Sequence, residues 1–122
     1  MATYIRLYAD DRGESHFADI EIDLELTDYA PPAPPLSLSS FTPATQFGFM
    51  NALAGWSSDW HPTSKRNIFF VLTGEWEVTA SDGESRRFAP GSVLLVEDTT
   101  GKGHSSRVVG ETDSLAAMVQ LD

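Results

Sequence analysis

The chain contains no cysteine, so it can form neither a disulfide bond nor a thiolate metal site. Any metal would have to be bound through imidazole, carboxylate or amide groups. Basic residues are also few, with 8 lysines and arginines against 18 aspartates and glutamates and a net charge of −10. Because such a surface repels phosphate backbones and anionic lipids, we expect neither nucleic-acid nor membrane binding.

Long apolar runs are absent as well. The N-terminal residues lack the apolar core of a signal peptide, and no segment approaches the length of a membrane span. The absence of cysteine agrees with a reducing compartment. We therefore expect a cytoplasmic protein.

Short apolar segments separated by turn residues make up most of the sequence. A chain of 122 residues with 41% hydrophobic residues is large enough for one core but too small for two ordinary domains. No helical period is visible, and many short strands are typical of an all-β barrel or sandwich. Strands are predicted at residues 3–8, 46–53, 67–73, 75–80, 85–88, 92–96, 106–109 and 115–121, and Asp82-Gly83 predicts a hairpin turn.

The N-terminal part contains the clearest alternation of the sequence. In residues 19–26 aliphatic side chains interleave with carboxylates, and a period of two predicts one half-buried strand with an acidic outer face. Residues 31–35 are mostly proline, which lacks the donor of a sheet ladder, so we interpret them as a stiff connector that carries the N-terminal strands across the domain. A docking motif for a proline-binding partner is the alternative. We divide the chain into N-terminal strands and connector (1–35) and barrel (36–122), both within one domain.

A stretch with a histidine near each end forms the centre of the sequence. Its fixed points, in chain order, are Gly55, His61, Gly74, Pro90, Gly91, Gly101 and His104. In type and spacing these residues resemble the two sequence motifs of the cupin superfamily, and the resemblance extends over residues 55–109. It implies an all-β fold, the cupin-type double-stranded β-helix or jelly-roll barrel, with the N-terminal strands packing on the barrel.

Two of the family's metal-binding positions are occupied by other residues. The resemblance implies that metal-dependent members bind one divalent transition metal through three histidines and a glutamate. This chain has His61 and His104 at matching positions, but Thr63 replaces a histidine and Asn67 replaces the glutamate. Threonine and amide oxygens are weak ligands for a transition metal, so we expect no metal or other cofactor. If a metal binds, its ligands would be His61, His104 and His16, the last carried to the barrel mouth by the N-terminal segment.

The resemblance also directs several polar and aromatic side chains into one pocket. Free histidine titrates near pH ~6.5, so His61 and His104 can exchange protons with a ligand under cell conditions. An aromatic-walled cavity with a few polar groups is the usual form of a small-molecule site. We predict His61 and His104 as catalytic residues and a substrate-binding set of Thr63, Asn67, Phe69, Trp76 and Phe49.

Several charged residues near the motifs allow two interpretations. Lys102 and Arg66 either steer an anionic substrate or pair with nearby carboxylates. Glu97 and Asp98 either assist an acid/base step or have a solvated or capping role.

The first functional hypothesis is a small-molecule-binding cupin that acts as a non-redox enzyme on a small organic molecule. Isomerase, cyclase, lyase and dehydratase reactions all belong to this class, which rests on analogy with the fold. The alternatives are a metal-dependent cupin, dioxygenase-like or hydrolytic, with an incomplete histidine set, and a non-catalytic ligand-binding module. We also expect a homodimer that pairs through sheet edges, since unpaired edges are a liability.

Overall fold

A computed structural model describes residues 2–122, and within that range the chain forms strands and turns but no helix. The all-β prediction is therefore confirmed. The strands are β1 (Thr3–Ala9), β2 (Ser15–Glu21), β3 (Glu25–Thr27), β4 (Leu36–Leu38), β5 (Gln46–Ala52), β6 (Asn67–Val71), β7 (Glu75–Ala80), β8 (Ser85–Phe88), β9 (Val93–Val96), β10 (His104–Val109) and β11 (Ser114–Gln120).

Two sheets enclose the core. The larger has six strands in the order β2-β1-β9-β6-β11-β5, and the smaller has three in the order β10-β7-β8. Neighbouring strands are antiparallel except β1 and β9, which are parallel. The core cluster combines side chains of both sheets, among them Leu7, Val71 and Leu94 from the larger and Trp76 and Val78 from the smaller. The molecule is thus a jelly roll with its core between the sheets.

Buried and partly exposed residues alternate strictly along β7 and β9, and the buried side chains form the inner wall of the barrel. In β7 the side chains of Trp76, Val78 and Ala80 are buried, and in β9 those of Leu94 and Val96 are buried. The side chains of Trp76 and Val78 therefore face the same side of β7. The hairpin predicted at Asp82-Gly83 is also confirmed: β7 and β8 pair on either side of it.

The single strand predicted over residues 19–26 is wrong. β2 ends at Glu21, β3 begins at Glu25, and β3 pairs only with β4 in a separate two-stranded sheet. Glu21 is already opposite Thr3, the first residue of β1, and the pairing ends with one further hydrogen bond, from the amide of Ile22 to the carbonyl of Ala2 at 2.9 Å. Leu24 and Leu26, which the alternation predicts to be buried, are 52% and 72% exposed.

The proline-rich residues 31–35 lie in the loop between β3 and β4. They do not form the predicted connector across the domain, because β3 and β4 on either side of them pair with each other. A boundary at residue 35 therefore separates two strands of one hairpin. β1, on its N-terminal side, is an inner strand of the larger sheet.

No helix within residues 2–122 is long and apolar enough to cross a bilayer.

Candidate functional site

The backbone holds His61 and His104 directly opposite each other. The amide of His61 donates to the carbonyl of His104 at 3.0 Å, and the amide of His104 donates to the carbonyl of His61 at 3.0 Å. This pairing arises because residues 56–61 run antiparallel beside β10, where the amide of Ser58 donates to the carbonyl of Ser106 at 2.8 Å. The two imidazole centroids are 4.8 Å apart. Positions far apart in sequence thus form one side-chain pair.

Gly103 makes this close approach possible. Its φ of +75° lies in the left-handed region, and a Cβ at this position would be 2.1 Å from the carbonyl carbon of His61. Any other residue would therefore force the two backbone segments apart. Gly103, which is not one of the fixed points of the second motif, is thus required by the position of His61.

One nitrogen of each imidazole is already engaged. Nδ1 of His61 lies 2.8 Å from the carbonyl oxygen of Asp59. Because a carbonyl only accepts, Nδ1 carries the proton and Nε2 of the neutral ring is an acceptor. Nδ1 of His104 lies 2.6 Å from Oδ2 of Asp98, and a carboxylate acceptor fixes the same tautomer. In both rings Nε2 is the nitrogen left for a ligand.

Asp98 is the member of this site that sequence reasoning did not assign. Its side chain is fully buried, and within residues 2–122 its Oδ1 atom has no hydrogen-bond partner. Its backbone carbonyl accepts from the amide of Thr63 at 3.1 Å, which ties it to the segment that carries His61. Glu97, its neighbour, instead pairs with Arg6 and Arg66. The sequence leaves Glu97 and Asp98 with the same two interpretations, an acid/base role or a solvated or capping role, and only the fold distinguishes the two residues.

A cavity of about 210 Å³ extends from the histidine pair into the space between the sheets. His61 and Trp56 are exposed and lie at its mouth, where the ring of Trp56 packs edge-on against Trp76 at 5.4 Å. The deeper wall consists of buried apolar side chains, among them Val71, Trp76, Val78, Phe88, Leu94 and Val96. The pocket therefore has one polar end and an apolar interior.

Four residues of the predicted site come together at this cavity. His61, His104, Phe69 and Trp76 all line it. The prediction that Phe49 contributes to the pocket is wrong: it is 64% exposed, and its neighbour Met50 lines the cavity instead. Successive side chains of a strand point to opposite faces, and β5 turns Met50 inward.

Thr63 and Asn67 do not line the cavity. The Oγ1 hydroxyl of Thr63 donates to the carbonyl of Lys65 at 2.7 Å, and Nδ2 of Asn67 donates to the same carbonyl at 2.9 Å. Asn67 is buried at the start of β6. These two side chains therefore fasten the loop before β6, and the cavity's polar groups come from the histidines and Ser106.

His16 lies away from the pair and does not line the cavity. Its Nε2 is 2.7 Å from Oδ2 of Asp10 and its Nδ1 is 2.9 Å from Oδ2 of Asp82. The hydrogen bond to Asp10 is the main cause that raises the pKa of His16, and it likewise lowers the pKa of Asp10. Since both ring nitrogens are bonded to carboxylates, the predicted delivery of His16 to the barrel mouth is wrong.

The described residues do not fit a resident metal ion. Within residues 2–122 no group of three or more histidine, aspartate or glutamate side chains is arranged to hold one. His61 and His104 each offer one free nitrogen, whereas protein-bound transition metals generally have at least three protein ligands. Thr63 and Asn67 are turned toward the Lys65 carbonyl. We therefore derive no step through a metal.

No family model matches the sequence, and no curated protein matches it. Solved structures do resemble the fold. A predicted oxalate decarboxylase from Thermotoga maritima is 21% identical and has a TM-score of 0.52, over 83% of this chain and 93% of that one. A Cupin 2 conserved barrel domain protein from Salinispora arenicola is 19% identical with a TM-score of 0.52, over 81% of this chain and 74% of the other.

A protein of unknown function from Rhizobium leguminosarum is 22% identical with a TM-score of 0.51, over 61% of this chain and 66% of that one. Identities at this level establish the architecture and leave the chemistry to the site itself. The sheet order, the position of the histidine pair at the barrel mouth and these structural neighbours agree with the resemblance seen in the sequence. The chain has the cupin fold.

Proposed function

We propose that this protein binds a small organic molecule in the barrel cavity and catalyses a non-redox proton transfer on it. The observation that carries the proposal is the geometry of the histidine pair. Two imidazoles, each anchored through Nδ1, share the polar end of one cavity. Such an arrangement provides both a base and an acid for the same ligand.

His104 is the base. When its Nε2 accepts a proton, the resulting imidazolium is stabilised by the Asp98 carboxylate at Nδ1. The ring is 8% exposed, so its orientation is fixed by its surroundings and not by water. A positioned base of this kind contributes about 10²- to 10⁴-fold to a rate.

His61 is the acid. Its Nδ1 is bonded to a neutral carbonyl, and its ring is exposed at the cavity mouth. In its protonated form it donates from Nε2 to the ligand, and it regains a proton from solvent. The proton that His104 removes and the proton that His61 supplies balance, so the reaction needs no oxidant or reductant.

The side-by-side arrangement of the rings restricts the reaction type. Inversion at one carbon needs an acid and a base on opposite faces of the ligand. The two ring centroids are 4.8 Å apart at one end of the cavity, so both act on the same side. Within the isomerase, cyclase, lyase and dehydratase classes, this geometry favours a proton shift between neighbouring atoms, or an elimination, over inversion at one carbon.

A non-catalytic binding module is the second candidate. The observation that favours it is the predominantly apolar wall of the cavity, which would hold a ligand without reacting with it.

A cytoplasmic location belongs to the proposal as well, because a chain without cysteine agrees with a reducing compartment.

Carbon-bound proton exchange in D₂O tests the proposal, with 2-indanone as a neutral, enolisable probe. We expect the wild-type protein to accelerate loss of the α-proton NMR signal over buffer. His104→Ala should lower that acceleration at least about 10²-fold, and His61→Ala should lower it too. Leu26→Ala is the matched control, because Leu26 is 72% exposed, belongs to the separate two-stranded sheet and does not line the cavity.

A probe that binds in the cavity but exchanges no faster than in buffer would contradict the catalytic proposal. Binding that is unchanged by His61→Ala would then favour the module.

A further inference from the structure

We infer that the ligand of this cavity is uncharged at neutral pH and has the size of about two fused rings. The inference rests on the proposed function in one respect, namely that the cavity is the ligand site. It deepens that proposal by excluding the carboxylates and phosphates that many small metabolites carry. Three features of the structure support it: the charges around the cavity, its volume and the position of its polar end.

Apart from the imidazole of His61, whose ring is exposed at the mouth, the described part of the chain offers no cation to an anionic ligand in this cavity. Among the described residues, its lining includes no lysine, arginine, aspartate or glutamate. Removing an ionised carboxylate from water is costly unless an opposite charge pairs with it. At the polar end the buried carboxyl group of Asp98 lies behind His104, where a negative charge would repel an anion.

The two basic residues considered for steering an anion are already paired. Nζ of Lys102 lies 2.8 Å from Oε2 of Glu14. Arg66 lies 2.9 Å from Asp122 and 3.2 Å from Glu97. The interpretation that these residues pair with carboxylates is therefore the one the structure supports. With a net charge of −10 the whole molecule also repels an approaching anion.

The volume limits the part of the ligand that the cavity can enclose. A cavity of about 150 Å³ lined by apolar side chains accommodates benzene. The cavity here measures about 210 Å³ and has a similar apolar wall, so it suits the next larger ring system. A ligand of this size would cover Val71, Phe88 and Val96 with its rings.

The polar end fixes where the ligand carries its reactive group. Within residues 2–122, the polar side-chain atoms of the lining other than the Trp56 and Trp76 indoles come from His61, His104 and Ser106. A single polar group at one edge of the ring system, such as a ketone or a hydroxyl, matches this distribution. Its oxygen would face protonated His61, and the adjacent C–H would face His104.

Calorimetric titration with two probes of the same ring system tests the inference. The probes are 2-indanone, which is neutral, and indane-2-carboxylate, which is an anion at pH 7.5. We expect the ketone to bind at least about 10-fold more tightly than the carboxylate, because among the described residues no lysine or arginine lines the cavity to offset the lost hydration of the carboxylate. Equal or tighter binding of the carboxylate, or failure of both probes to bind, would overturn the inference.

Two lysine variants on β10 provide a gain-of-function test with a matched control. Ser106 lines the cavity, whereas its neighbour Ser105 does not. Ser106→Lys should raise the affinity for indane-2-carboxylate at least about 10-fold, because it places a cation beside the ligand. Ser105→Lys changes the net charge equally and should raise that affinity by less than about 3-fold, because its cation lies outside the cavity. Similar gains from both variants would show that net charge, and not the cavity lining, excludes the anion.

Binding and proton exchange separate this inference from the proposed function. If the ketone binds preferentially but no exchange follows, the ligand class stands and the catalytic proposal fails. If the carboxylate binds as tightly as the ketone or more tightly, while the protein still accelerates exchange of the ketone's α-protons, the catalytic proposal stands and the ligand class fails.

Discussion

Nδ1 of His104 lies 2.6 Å from Oδ2 of Asp98, and the aspartate side chain is completely enclosed. The hydrogen bond orients the imidazole and determines which nitrogen carries the proton. It also provides a negative charge behind the ring when the ring takes a second proton. Within the site, Asp98 acts through His104 and does not line the cavity itself.

Asp98→Asn should disturb the tautomer of His104 while the fold is retained. An amide can present either a donor or an acceptor to Nδ1, so it no longer enforces protonation there. We expect the ¹⁵N chemical shifts of His104 to report one tautomer in the wild type and a mixture or the opposite tautomer in the variant. Proton exchange of 2-indanone should fall by about 10²-fold or more, with ketone affinity little changed. An unaltered ¹⁵N spectrum would contradict this role of Asp98.

Gly103→Ala should lower the free energy of unfolding more than an alanine substitution at a comparable glycine elsewhere. Left-handed backbone costs a non-glycine residue roughly 1–2 kcal/mol. At Gly103 a clash with the His61 backbone is added, so we expect a loss of at least about 3 kcal/mol in urea denaturation. Gly110 is the control, since its φ is +80° and a Cβ there meets nothing within 4 Å. Equal losses for the two variants would contradict the packing argument.

The His16 contacts predict a pH-dependent contribution to stability. Because the hydrogen bond to Asp10 raises the pKa of His16 in the folded state, protonation of His16 favours folding. This contribution is complete below the ordinary histidine value of about 6.5 and is lost as the pH rises through the raised pKa. The lowered pKa of Asp10 keeps the partner ionised above about 3.8, its ordinary value.

His16→Gln should therefore lower Tm at pH 5.5 and have a smaller effect at pH 9. Asp10→Asn should remove the same pH-dependent part, since it removes the main hydrogen-bond partner. The measurement is thermal unfolding of the three proteins followed by circular dichroism at both pH values. A Tm difference for His16→Gln that is the same at pH 5.5 and pH 9 would contradict the assignment.

Protein purified without chelator should contain far less than one equivalent of any transition metal. His61 and His104 are the only histidines at the cavity among the described residues, and Thr63 and Asn67 are engaged with a backbone carbonyl. Elemental analysis by mass spectrometry measures this directly. Stoichiometric iron, manganese, nickel, zinc or copper would overturn the metal-free mechanism.

The predicted homodimer has a suitable surface at the edge of the larger sheet. β5 is the outermost strand on that side, and Phe47 and Phe49 on it are 77% and 64% exposed. Light scattering at micromolar concentration should give twice the mass of the chain. Phe47→Lys should shift the mass toward the monomer, because a charge at an edge strand disfavours pairing. A wild-type monomer at that concentration would contradict the prediction.

Local sequence patterns predicted β1 and β5 to β11, and the motif resemblance predicted the histidine pair, but neither gave the direction of every side chain. β7 alternates strictly, and the burial of Trp76 and Val78 follows from that pattern alone. Along β5 the alternation separates Phe49 from Met50 but does not say which faces inward. That choice depends on β11 and on the curvature of the sheet.

Features that depend on distant partners were missed. Residues 19–26 have the pattern of a strand, but the pairing with β1 ends one hydrogen bond beyond Thr3. Asp98 looked like one of several loop carboxylates, because its burial arises only when the loop folds against His104 and Thr63. Motif spacing placed His61 and His104 in one site because it encodes the turns that bring their backbones together.

The paired backbone hydrogen bonds between residues 61 and 104 hold these two positions together whatever side chain position 61 carries. The amides and carbonyls, and not the imidazoles, hold these positions opposite each other, and Gly103 keeps them close. The side chain at position 61 is exposed and can therefore be exchanged without dismantling the frame, whereas a side chain at position 104 must still pair with buried Asp98. A library varied at position 61 would present new functional groups to the same apolar cavity beside His104, which makes this small barrel a scaffold for altered chemistry.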